Sequence, residues 1–115
     1  MNANEKTARI RELNDALRVH ARGGQIAFAG GLSGTGDETH ATRMNVWKAV
    51  SEAKVETGDG DDAYSEHDFG TVEVDGEKYI WKIDYYDKDM EFGSEAPEDP
   101  EQTTRVLMIM FARDY

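Results

Sequence analysis

The sequence predicts an α+β fold: a single domain over residues 1–115, with an antiparallel four-stranded sheet carrying two helices packed on one face. Three observations predict it. Apolar residues recur at helical spacing in two stretches, 4–21 and 38–56. Two runs of β-forming residues flank the dipeptide Asp75-Gly76. A run apolar on both faces, TTRVLMIMFAR, lies near the C-terminus. The expected order is helix, strand, helix, strand, strand, strand.

The first helix is expected over residues 4–21. Ile10, Leu13, Leu17 and His20 follow the steps i, i+3, i+7 and i+10, with Asn4 as the N-cap and Gly23-Gly24 as the stop. Arg9, Arg11, Arg18 and Arg22 are expected on its solvent face. Gln25–Ala29 reads as a short strand. The GGLSGTGD segment that follows, residues 30–37, invites a phosphate-loop reading. It lacks the Lys-Ser/Thr pair and the G-x-G-x-x-G order, and Asp37 and Glu38 stand where a phosphate would approach. It is expected to be a flexible connector. The second helix is expected over 38–56, with Ala41, Met44, Trp47, Val50 and Lys54 as its stripe and Val46, Ala49 and Ala53 widening it. Thr57–Asp62 (TGDGDD) is a polar break whose residues do not follow the order of a calcium-binding loop.

The stretch Glu66–Asp87 reads as one hairpin. With Asp75-Gly76 as a type I′ loop, Val74 faces Glu77, and Val72–Tyr79, Gly70–Trp81 and Asp68–Ile83 follow outward. Val72, Val74, Tyr79, Trp81, Ile83 and Tyr85 then share a core face, with Trp81 covering the bare backbone of Gly70. On the mixed face Glu73 meets Lys78 and His67 comes opposite Asp84. Residues 88–102 form a long loop holding both prolines, with Met90 and Phe92 as its expected anchors. The final strand, 103–113, is expected at the centre of the sheet.

Charge is the composition's strongest statement. Residues 1–24 hold five basic and three acidic side chains, whereas residues 59–115 hold five basic and seventeen acidic ones, within a net charge of −11. Such a field favours cationic partners and opposes direct binding to nucleic acid or an anionic membrane. Cysteine is absent, which excludes disulfides and thiolate chemistry. With no apolar leader and no 18-residue apolar run, a cytoplasmic protein is expected.

The best catalytic candidates are His67, Asp84 and Glu66, because an imidazole beside a carboxylate can serve as a general base. Ser65 is near, but no nucleophile elbow supports it. The plainer reading is a hydrogen-bonded pair closing the open end of the hairpin. One imidazole among carboxylates does not make a zinc site, so neither a metal nor another cofactor is expected. The aromatic set Tyr79, Trp81, Tyr85 and Tyr86 lies among too many acids for a nucleic-acid stacking platform.

Glu66-His67-Asp68-Phe69-Gly70, the turn Glu73–Glu77, Trp81–Asp87, Phe92-Gly93-Ser94 and the strand Thr104–Met110 together resemble an uncharacterised bacterial family of short proteins, a domain of unknown function with an EHDFG…WKIDYYD signature. The resemblance extends to Arg11–Arg18 and is weaker over 34–57. It implies a role on plasmids, phages and other mobile elements, and no chemistry.

Two functional expectations follow. The first is a non-enzymatic binding or inhibitor protein that docks Asp84, Asp87, Asp89, Glu91, Glu95, Glu98, Asp99 and Glu101 on a basic protein surface. Its carboxylates would stand in for phosphates, as in anti-restriction or anti-CRISPR proteins that act on host defence complexes. The alternative is a small hydrolase or metal-dependent enzyme using His67, Asp84 and Glu66. A homo-oligomer formed through a sheet edge, or through Phe69, Ile80 and Tyr86, is compatible with either.

Overall fold

The computed structural model describes residues 1–34, 36–55 and 66–115; the TGDGDD segment and Ser65 fall outside them. Helix α1 runs Ala3–His20. Its cap is Asn2 and not Asn4: the Asn2 side chain accepts from the Glu5 N–H at 2.9 Å, and the Glu5 carboxylate accepts from the Asn2 N–H. The helix also stops before the expected glycines. Ala21 takes the left-handed conformation at φ 55°, so that the Arg22 N–H reaches back to the Ala16 carbonyl.

Strand β1 (Gly24–Phe28) leads into a 3-10 turn at Gly30–Leu32. That turn is no flexible connector, since it carries Leu32 into the core at 1 % exposure. Helix α2 spans Asp37–Glu52, and Val46 and Val50 are its buried residues. Met44 is 45 % exposed, so the inward stripe lies slightly round the helix from the expected one.

The hairpin of β2 (Phe69–Val74) and β3 (Glu77–Tyr86) has the expected register, with Val74 opposite Glu77, Val72 opposite Tyr79 and Gly70 opposite Trp81. Asp75 and Gly76, at φ 53° and 80°, make the turn. Strand β4 (Thr104–Phe111) pairs antiparallel with β3 and is central in the order β1-β4-β3-β2.

One expectation about the sheet is corrected. It is mixed, because β1 runs parallel to β4 with Gly24 beside Arg105 and Phe28 beside Ile109. The turn out of α1 sets this direction. It delivers Gly24 to the Arg105 end of β4, so closely that a Cβ on Gly24 would lie 2.7 Å from the Arg105 carbonyl oxygen and 2.8 Å from the Leu17 side chain.

Both helices cover the same face of the sheet. Leu17, Val46 and Val50 pack with Tyr79, Trp81, Ile83, Leu107 and Ile109. Arg18, expected on the solvent face, is 5 % exposed; it donates to the Val50 and Ala53 carbonyls at the end of α2 and lies over the Trp81 ring. Among the described residues no helix is long and apolar enough to cross a membrane.

Candidate functional site

The long loop between β3 and β4 is built from hydrogen bonds, not from the apolar anchors expected of it. Its first half is a tight turn. The Asp87 N–H donates to the Phe92 carbonyl at 2.8 Å, the Asp87 carboxylate accepts from the Glu91 N–H, and Met90 adopts φ 60°. The Ser94 N–H then donates to the Tyr85 carbonyl. In the second half, the Ser94 and Thr103 hydroxyls bond to one another at 2.7 Å, and Thr103 donates onward to the Ala96 carbonyl. Asp99 accepts from the Glu101 N–H and the Gln102 amide, which hold its carboxyl below the usual carboxylate range. Met90 and Phe92 are left 45 % and 72 % exposed. The polar groups of a loop must find partners, and here they tie it down without the two expected anchors.

Beneath the loop lies a buried polar junction. Asn14 of α1, 0 % exposed, donates to the Glu66 carbonyl and to the Tyr85 hydroxyl, and its side-chain oxygen accepts from Arg105 Nε at 2.8 Å. The Tyr85 hydroxyl donates in turn to the Glu66 carboxylate at 2.8 Å, while the Arg105 guanidinium donates to the Pro97 carbonyl and lies over the Tyr85 ring. Burial raises the Tyr85 pKa and lowers that of Arg105. Every polar atom of Asn14 is engaged, so α1, the start of the hairpin, β3, β4 and the acidic loop are joined at one point.

The candidate catalytic residues are drawn to different partners. Glu66 accepts from Tyr85, His67 Nδ1 lies 2.9 Å from Asp15 of α1, and Asp84 pairs with Lys82 at 2.9 Å. Backbone geometry explains the change at His67. Its φ of 57° takes it out of the pleat before the regular ladder begins at Phe69 opposite Lys82, so the imidazole turns toward α1. Among the described residues no three His, Asp or Glu side chains converge as a metal site requires.

The predicted docking acids divide in three. Asp84 belongs to the ion pair with Lys82. Asp87 and Asp99 serve the loop's own turns. Asp89, Glu91, Glu95, Glu98 and Glu101 have no side-chain hydrogen bond or ion pair among the described residues, although Glu98 lies close enough to Arg105 to favour its charge; in α1, Arg9 pairs with Glu12 and Arg18 with Asp15. Asp87, Phe92, Gly93, Glu95 and Gln102 line a cleft of about 320 Å³ on the loop's outer side. Phe92 is the site residue that sequence reasoning missed, because an aromatic in an acidic loop reads first as an anchor.

A family model described as a protein of unknown function, DUF3768, matches residues 33–114. The match takes in α2, the hairpin, the acidic loop and β4, and leaves out α1 and β1. No curated protein matches the chain, and no solved structure does. The chain belongs to the DUF3768 family.

Proposed function

We propose that this DUF3768 member is a non-enzymatic binding protein that docks its acidic loop on a basic protein surface, one that otherwise holds nucleic acid. The observation that carries the reading is the set Asp89, Glu91, Glu95, Glu98 and Glu101: five carboxylates with no side-chain hydrogen bond or ion pair among the described residues, on a loop tied down by hydrogen bonds in both of its halves. Preorganised charge is what a phosphate mimic needs, because ordering a flexible loop would consume the affinity its charges supply. Phe92, exposed at the rim of the cleft, adds the aromatic contact that interfaces favour. On a mobile element such a protein would counter a host defence complex, as anti-restriction and anti-CRISPR proteins do.

The test is capture of partners from bacterial lysate at low salt. The bait is the wild-type chain or a variant carrying Asp89→Asn, Glu91→Gln, Glu95→Gln, Glu98→Gln and Glu101→Gln. A nucleic-acid-binding protein should elute from the wild type as salt rises, be displaced by added DNA or RNA, and bind the variant about tenfold or more weakly. Binding that is indifferent to salt and retained by the variant would overturn the reading.

A further inference from the structure

We propose that the chain self-associates through the outer edge of β1, two copies pairing antiparallel about a two-fold axis so that their sheets become one. Among the described residues β1 has a strand neighbour on one side only, since the sheet order begins with it and its partner is β4. The Ala29 N–H donates to the Ile109 carbonyl at 3.0 Å. Main-chain directions alternate along a strand, so Gln25 and Ala27 also aim their main-chain groups at β4, and Gly24, Ile26 and Phe28 aim theirs outward.

Sheet edges are ordinarily blunted by a charge, a proline or a bulge. This one carries none of them. From Gly23 to Gly36 the chain has no charged residue and no proline, although 32 % of its residues are charged. The opposite edge strand, β2, carries Glu73.

Charge also argues for a second copy as the occupant. Two molecules of net charge −11 repel over most of their surfaces. The β1 edge carries no such excess of acids. Arg22 stands two residues before its Gly24 end. Arg43, 5.7 Å from the Phe28 ring, and Asp114, which accepts from the Gly31 N–H at 3.0 Å, flank its Phe28 end. Antiparallel pairing sets the Arg22 end of one copy against the Asp114 end of the other. In the register centred on Ile26, that residue meets its own counterpart and Gly24 meets Phe28. Gln25 then faces Ala27 of the second copy, on the side of the sheet away from the helices.

Size-exclusion light scattering with far-UV circular dichroism tests this. The wild type should double from 12.9 kDa as concentration rises, and the dimer should strengthen with salt. Gln25→Lys with Ala27→Lys places lysine opposite lysine and should return the chain to a monomer with an unchanged spectrum. Gln25→Lys with Ala27→Glu places opposite charges together and should restore the dimer, which separates loss of pairing from loss of folding. A wild type that stays at 12.9 kDa at every concentration and salt overturns the proposal, as does a dimer that survives the paired lysines. Docking of the acidic loop weakens with salt and self-association strengthens, so either can fail without the other.

Discussion

At the scale of single residues the junction around Tyr85 has the sharpest consequences. Its hydroxyl is held between the Asn14 amide and the Glu66 carboxylate, and burial beside that carboxylate raises its pKa above the ordinary 10.0. In the unfolded chain the phenol ionises near pH 10; in the folded chain it keeps its proton. The stabilisation is therefore complete below pH 10 and is lost as pH climbs toward the folded value, by up to about 1.4 kcal/mol per pH unit. Tyr85→Phe should lower stability at neutral pH by about 1–3 kcal/mol, because Asn14 loses an acceptor and Glu66 a donor. It should also flatten the alkaline decline by one proton's worth. Urea titrations from pH 7 to beyond 10 measure both, and parallel curves for the two proteins would show that Tyr85 does not titrate differently on folding. Tyr79 and Lys82, also shifted upward, contribute equally to both curves.

At the scale of elements the hairpin contains one very close approach. A Cβ on Gly70 would sit 2.6 Å from the Trp81 indole, which is 1 % exposed and lies under the Arg18 guanidinium, so it has nowhere to swing. Gly70→Ala should therefore cost about 1–3 kcal/mol, read as a Tm lowered by several degrees; an unchanged Tm would mean that the indole is not packed on the strand. This pair was legible in the sequence because hairpin register is local: Asp75-Gly76 fixes the turn, and everything outward follows by counting. The direction of β1 was not, because it depends on where α1 delivers Gly24 against Arg105, a contact across most of the chain. The junction was half legible. Ile10, Asn14, Leu17 and Arg18 share one helical face, yet Asn14 and Arg18 were passed over because polar residues at core spacing read as solvated until their buried partners are known. The acidity of the loop was legible from composition alone. Which of its acids the loop uses for its own turns depends on Asx geometry at Asp87 and Asp99, which charge counting does not see.

At the scale of the whole molecule the question is why a 115-residue chain tolerates a net charge of −11. Self-repulsion of that size works against the compact state, and the loop concentrates much of it. If the five carboxylates of Asp89, Glu91, Glu95, Glu98 and Glu101 contributed to folding, neutralising them would destabilise the protein. Their surroundings point the other way. The backbone of the loop is secured by Ser94, Thr103, Asp87, Asp99 and Arg105, none of which the substitutions touch. The variant with Asn at 89 and Gln at 91, 95, 98 and 101 should therefore melt above the wild type at low salt, by about 1 kcal/mol or roughly 4 °C. The gap should close as salt shortens the screening length to well below about 10 Å, because the wild type gains more from screening. Thermal melts of both proteins across sodium chloride concentration decide it. A variant that is less stable at low salt would assign the carboxylates to the fold, whereas one that is more stable yet no longer captures a partner would show that the loop keeps its charge for binding at the expense of stability.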